Sequence, residues 1–234
     1  MSISVHSDHP NILYIHSHDT GRYVQPYGHA IPTPNIQHLA EQGILFRKAF
    51  CVAPTCSPSR AGLLTGQYAH CTGMLGLAHR GFTLNDYNQH IIHTLRKAGY
   101  YSVLIGEEHL SKDPNASGYD QVSRVEGYQA DLVAPAAIEL LNHGLPQPFF
   151  LSVGFFETHR EFLKPSSIDD IKYSLPPAPL PDTYETRRDM GGFKASAWTL
   201  DQGIGAVLEA LDANGLSDNT LVICTTDHGI AFPR

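Results

Sequence analysis

Long apolar runs are missing from this 234-residue chain. No stretch approaches the ~20 residues that cross a bilayer, so no membrane-spanning segment is expected. Positive charge is also in short supply, with 16 Lys and Arg against 23 Asp and Glu and a net charge of -7. No block of like charges occurs, which argues against a nucleic-acid partner and against a basic membrane patch. Cysteine is scarce too. Cys51, Cys56, Cys71 and Cys224 could form two bridges, but consumption of one of them by other chemistry would leave an odd number. A disulfide framework is therefore not expected, and a reducing compartment fits better. The start Met1-Ser2-Ile3-Ser4-Val5-His6-Ser7-Asp8-His9-Pro10 lacks the basic and apolar regions of a secretory leader, so the chain as written is expected to be cytoplasmic. Internal repeats and low-complexity tracts are absent as well.

What is present is a 42% hydrophobic composition, enough for a substantial core, in a length that permits one large domain or two small ones. Short apolar runs at 11–15, 101–105, 149–156 and 220–224 read as buried strands. Helical patterns alternate with them. One opens at Thr33-Pro34, a cap followed by a first-position proline, and stops at Gly43. Others fall at 59–65, 90–98, 130–142 and 193–213, three of them closed by Gly99, Gly144 and Gly215. Residues 163–188, rich in Pro, Ser and Asp, read as a long excursion over the sheet edge or the rim of a site. This alternation predicts an α/β fold, a doubly wound, mostly parallel sheet with helices on both faces.

The strands empty into polar clusters, which is where open parallel sheets keep their sites. His16-Ser17-His18-Asp19 follows the first, Gly106-Glu107-Glu108-His109 the second, Glu157-Thr158-His159-Arg160 the third and Thr225-Thr226-Asp227-His228-Gly229 the last. Asp19 and Asp227 offer hard oxygen ligands and have His18 and His228 beside them, a combination that suits a divalent cation. Cys56 opens the run Cys56-Ser57-Pro58-Ser59-Arg60-Ala61-Gly62-Leu63-Leu64-Thr65-Gly66. Pro58 fixes its own φ and restrains Ser57, and Arg60 supplies a permanent, fork-shaped cation. A cysteine just ahead of a helix sits where free N–H groups favour anions.

This run resembles the signature of the sulfatase family, in which the Cys-x-Pro-x-Arg core is recognised by a formylglycine-generating enzyme that oxidises the thiol to an aldehyde. The resemblance extends from Asn11 to Arg234 and is strongest toward the sulfamidase-like branch. Leu200-Asp201-Gln202-Gly203-Ile204-Gly205, then Asp227-His228-Gly229-Ile230 and Phe232-Pro233, are similar to that branch's metal-site region. It implies an alkaline-phosphatase-like fold, with residues 1–234 as an incomplete N-terminal catalytic domain whose later strands and C-terminal domain would follow. It implies Cys56 as formylglycine precursor, Arg60 as oxyanion partner, and His109 and His159 as proton-transfer groups. Asp19, Asp227 and His228 would bind the cation, usually Ca2+. His18 stands where an aspartate is usual, which opens the site to Mn2+ or Zn2+. Glu107 stands where the family places a sulfate-binding lysine, and a carboxylate there repels sulfate unless it is protonated, paired or turned outward. Arg80 or Lys112 would then serve the anion, with Arg234 as the basic residue that contacts sulfate. The implied substrate is a sulfated small molecule or carbohydrate, as O-sulfate ester or N-sulfo group. A phosphodiesterase or phosphonate hydrolase of the same superfamily is the alternative. A non-catalytic binding module is favoured by Glu107 and His18 and opposed by the intact Cys56 run.

Overall fold

The computed structural model of the chain describes residues 9–178, 180–230 and 232. Its centre is a five-stranded, wholly parallel sheet of β1 (Asn11–Ser17), β2 (Tyr101–Gly106), β3 (Gln121–Ser123), β4 (Phe149–Gly154) and β5 (Thr220–Thr226), in the order β3-β2-β4-β1-β5. Side chains alternate across a strand, so each strand feeds two cores. Leu13, Ile15, Val103, Ile105, Leu151 and Val153 point to one face, where α5 (Ala130–His143) and α7 (Tyr184–Ala213) lie side by side. Tyr14, Leu104 and Phe150 point to the other, against α2 (Cys56–Thr65) and α4 (Ile91–Lys97). Helices thus cover both faces, as the alternation predicts. α1 (Pro34–Gln42) packs on α7, where Asp201 accepts the Asn35 and Ile36 amide hydrogens at 3.1 and 2.9 Å. The remaining helices, α3 (Ala69–Thr72) and α6 (Ile168–Tyr173), are short.

Two expectations need correction. The last long helix begins at Tyr184 rather than 193, capped by a reciprocal Thr183–Thr186 box. It runs through Gly191-Gly192, a pair that reads as a break in sequence. A Cβ on Gly192 would lie 2.8 Å from the Leu163 carbonyl oxygen, so the missing side chain is what lets the preceding segment lie on the helix. Residues 163–188 are therefore not a free excursion. Their middle forms α6, which packs on α7, and Lys194 donates to Asp170 at 2.7 Å. The third cluster of apolar side chains, including Met190, Phe193 and Phe232, sits nearby.

Among the described residues β5 pairs with β1 on one side only. Leu221 and Ile223 on it are 53% and 40% exposed, while Val222 and Cys224 line a groove of ≈ 1240 Å³ bordered by Ile44, Phe46, Phe50 and Leu63. Among the described residues no helix is long and apolar enough to cross a membrane.

An unpaired strand edge flanked by apolar side chains favours self-association. Replacing Leu221 and Ile223 together by Lys and Thr should raise the monomer fraction of the isolated chain in analytical ultracentrifugation. Gly106, at φ +79, ends β2 with its Cα so placed that a Cβ would lie 2.0 Å from the Gly154 carbonyl oxygen. Gly106→Ala should therefore cost more than the ~1–3 kcal/mol of a non-glycine in that backbone region, read as a lower denaturant midpoint.

Candidate active site

The carboxyl ends of β1, β2, β4 and β5 meet at one edge of the sheet. Backbone hydrogen bonds lash the exits together, with the His18 N–H donating to the Glu157 carbonyl at 3.0 Å and the Thr158 N–H to that of His18 at 2.7 Å. Asp19 (φ 53) and His109 (φ 61) are the non-glycine residues in the left-handed region among the described residues, and both belong to this edge. Such conformations persist where surrounding structure enforces them.

Cys56 approaches from the opposite face on the first turn of α2 and is buried. The helix begins at Cys56 itself, three residues earlier than predicted, because proline is tolerated in a first turn where the N–H would lack a partner anyway. Thr55 makes no side-chain cap, so the helix start is open to an anion. The thiol lies 3.5 Å from His228 Nε2 and 3.9 Å from Asp19 Oδ1, and His228 Nε2 is 2.9 Å from the same Asp19 oxygen. The ligand atoms of His18, Asp19, Cys56 and Asp227 all fall within 4.8 Å of one another, and so do those of His18, Cys56 and His109. Residues 37 and 208 positions apart in sequence thus converge on Asp19.

Asp227 is the most heavily engaged carboxylate. Its Oδ1 accepts the amide hydrogens of Asp19 at 2.9 Å and His228 at 2.8 Å, and its Oδ2 accepts from Arg60 Nη2 at 3.1 Å. Burial pushes this carboxyl up, but contact with His18 and the Arg60 charge outweigh it and hold it well below the usual carboxylate range. Burial also works against the Cys56 thiolate, yet His109, His18 and His228 bring the thiol down to about 5. For His228, burial is outweighed by Asp19, Cys56 and Asp227, which raise it to about 11. For His18, burial and Arg60 are outweighed by Asp227, Cys56 and Glu107, which raise it to about 10. The ring nitrogens of His18 lie 3.1 Å from Glu107 Oε2 and 3.2 Å from Asp227 Oδ2, out of line for hydrogen bonds with either.

Several sequence-derived assignments shift in space. Arg60 is 1% exposed, and its guanidinium is already spent on Asp227, the Ser17 carbonyl and His16 Nδ1, so it holds the site from behind rather than facing an incoming oxyanion. The same cation and burial keep His16 neutral, well below its ordinary range. Glu107 resolves as paired: its carboxylate points inward to His18, and burial is outweighed by His18, His109 and Arg60, which lower it. Arg80 is exposed and outside the cleft of ≈ 390 Å³ at this edge, whereas Lys112 lines it. Arg234 lies outside the described residues. His159 lines the cleft with Nδ1 2.5 Å from the Arg160 carbonyl oxygen and Nε2 4.0 Å from Asp19 Oδ2, which leaves Nε2 facing the site. His79 was not singled out in the sequence, yet its Nδ1 lies 3.0 Å from His109 Nε2. Nothing in the sequence beyond a histidine next to Arg80 marks it. Cys51, Cys56, Cys71 and Cys224 are free thiols.

Residues 10–233 match the sulfatase family model. Human N-sulphoglucosamine sulphohydrolase is 31% identical over 258 residues, which cover 95% of this chain and 51% of that protein. An ulvan-active sulfatase of Formosa agariphila is 25% identical over 279 residues, 97% of this chain and 45% of that protein. The solved structure of BT4656 in complex with its substrate D-glucosamine-2-N,6-O-disulfate superposes with a TM-score of 0.77 at 21% identity, covering 95% of this chain and 66% of that one. The architecture is that of the alkaline-phosphatase-like sulfatases, and the chain spans about half the length of the curated relatives it matches.

Removing one member of a buried ion pair strands the other. Arg60→Met should cost about 3–5 kcal/mol in urea unfolding, since the Asp227 charge would remain inside without its guanidinium partner, while Arg60→Met combined with Asp227→Asn should recover part of that loss.

Proposed function

The chain belongs to the sulfatase family, and from that premise we propose that it hydrolyses a sulfate ester or N-sulfo group on an amino sugar, using Cys56 in its oxidised, formylglycine form. The observation that carries the reading is the convergence of Cys56 with Asp19, Asp227 and His18, four ligand-bearing side chains within 4.8 Å at the mouth of a parallel sheet. The named substrate of the structural neighbour is a glucosamine sulfated at nitrogen and at O6, and the human relative is named for N-sulphoglucosamine, which supports a sulfated amino sugar here.

The donor set fits a divalent cation. Two buried carboxylates, an imidazole with no hydrogen-bonded nitrogen and a sulfur or oxygen at position 56 offer mixed hard and borderline ligands. Asp19, Asp227, His228 and His18 would hold the ion, which would supply a positive field for the sulfate oxygens and for the oxygen nucleophile at position 56. The oxidised Cys56 side chain, hydrated, would supply one oxygen to attack sulfur and displace the sugar oxygen or nitrogen, and a second hydroxyl whose deprotonation re-forms the carbonyl and expels sulfate together with the first oxygen.

The chain's own residues do the rest. Arg60 fixes the Asp227 carboxylate, whose Oδ1 in turn orients the Asp19 and His228 backbone. The open first turn of α2 directs its N–H groups at the charge that develops on position 56. His109 faces position 56 on the β2 side and can take a proton there. His159, with Nδ1 fixed on the Arg160 carbonyl, presents Nε2 to the leaving-group side of the cleft. Lys112 is the cleft-lining cation available to a sulfate oxygen, in the place where Glu107 withdraws to His18.

Co-expression with a formylglycine-generating enzyme should convert the thiol, lowering the mass of the Cys56 peptide by about 18 Da through exchange of SH and H for a carbonyl oxygen. The matured protein should release sulfate from N-sulfo- or 6-O-sulfoglucosamine and leave the corresponding phosphate esters far less affected. Cys56→Ala should lower turnover by a factor of ~10⁴ or more while the thermal midpoint holds. A fully converted protein that hydrolyses phosphate esters better than sulfated sugars would overturn the reading.

A further inference from the structure

Cys56 has a second set of ligand-bearing neighbours, His18 and His109, with Glu107 beside them. Four of the five buried side-chain polar atoms that lack a hydrogen-bond partner among the described residues lie together there: His18 Nδ1 and Nε2, Glu107 Oε2 and His109 Nδ1. Buried polar atoms are nearly always satisfied, so a knot of four in one place marks a position built for something else. His18 is 1% exposed, and its Nε2 is the nitrogen turned toward Glu107, at 3.1 Å. His109 Nδ1 lies 3.8 Å from the other Glu107 oxygen. The ligand atoms of His18, Cys56 and His109 are all within 4.8 Å of one another. A shared tetrahedral ion at ~2.0–2.3 Å from nitrogen and sulfur holds its ligand atoms roughly 3.3–3.8 Å apart, a spacing inside that limit.

We propose that the chain in its unconverted, thiol form holds a zinc-class transition-metal ion through Cys56 Sγ, His18 Nε2 and His109 Nδ1, with Glu107 as the fourth, carboxylate ligand. One thiolate, two imidazoles and a carboxylate are the soft and borderline donors that select such ions over calcium. The Cys56 thiol and His18 Nε2 each give up a proton on ligation, and the ion takes their place. The tautomer is fixed from outside: His109 Nε2, 3.0 Å from His79 Nδ1, donates its proton there, which leaves Nδ1 with its lone pair toward the cluster. His79 stacks on His109 with ring centroids 5.3 Å apart and so orients the ring as well. This assigns Glu107 a ligand role in the place where sulfatases carry a lysine. The position differs from the carboxylate-lined one in its donors, since His18 turns Nε2 toward Glu107 and Nδ1 toward Asp227. Because it is made by the thiol, it does not depend on hydrolysis by the oxidised form.

The test uses the full chain produced without a formylglycine-generating enzyme, stripped of metal and titrated with Co2+ as probe. Thiolate ligation reports itself as a sulfur-to-cobalt charge-transfer band in the near ultraviolet, and Zn2+ should displace the Co2+ and abolish the band. The band should vanish in Cys56→Ser, fall at least tenfold in apparent affinity in His109→Ala and Glu107→Gln, and persist in Asp19→Asn. His79→Ala, which touches no metal, should weaken Co2+ binding by about 10–100-fold while leaving the band's shape unchanged, as expected of a group that orients a ligand. Circular dichroism of each metal-free variant serves as the folding control; His79 and His109 sit at the cleft mouth, so their variants should keep the native spectrum. A wild-type chain with no charge-transfer band, or a band that survives His109→Ala and is lost in Asp19→Asn, overturns the assignment.

Discussion

A guanidinium that is 1% exposed can remain in a protein interior only while its donors are well occupied, and Arg60 occupies them with three residues on two pieces of chain. It reaches Asp227 after β5, the Ser17 carbonyl at the end of β1 and the ring of His16 within β1, from its own place on α2. Asp227 then passes the constraint on, since its Oδ1 holds the Asp19 and His228 amides. Ser59 on the same helix donates to the Asp227 backbone carbonyl. The positions of both acidic side chains and of the Cys56 thiol thus follow from one buried cation. Its fork geometry matters, because a lysine could meet Asp227 but not Ser17 and His16 as well.

The two departures from the sulfatase pattern, His18 and Glu107, are in contact with each other at 3.1 Å. An aspartate facing a lysine would carry the same pair of opposite charges with the partners exchanged. The exchange keeps the local charge balanced, because His18 is raised to about 10 by Asp227, Cys56 and Glu107 against burial and Arg60, and Glu107 is lowered by His18 against burial. What changes is the kind of ligand on offer. Imidazole nitrogen replaces carboxylate oxygen at position 18, and carboxylate replaces ammonium at position 107. The edge of the sheet is consequently richer in histidine than hard-cation chemistry requires, with His18, His109, His159 and His228 around one thiol.

Much of this was legible in the sequence, for identifiable reasons. The strands at 11–15, 101–105 and 149–156 are buried on both faces and so read as continuous apolar runs, 220–224 reads as one although Leu221 and Ile223 are exposed, and the polar exits of all four carry the site. The convergence of Asp19 with Asp227 follows once those strands are parallel. β3 escaped notice because three half-buried residues carry no period. The early start of α7 was hidden by Gly191-Gly192, whose function is close contact with a segment far from the local pattern. Arg60 looked like a site cation because a fork beside a nucleophile is chemically apt, but its direction is set by β1 and β5, which sequence spacing does not encode. His79 was invisible for the same reason: it matters only through the ring of His109.

The place of β1 between β4 and β5 bears on how such a molecule is assembled. Asn11 is in register with Thr220, 209 residues away, and Ile12 with Phe150. The earliest strand in the described chain therefore finds neither neighbour until more than half of the chain has followed it, and it acquires the second only once α7 is in place. Loop closure on that scale is slow, and β1 with its buried His16 and His18 must wait as an apolar ribbon in the meantime. During synthesis that waiting strand, rather than the finished site, is the feature a chaperone would have to shield.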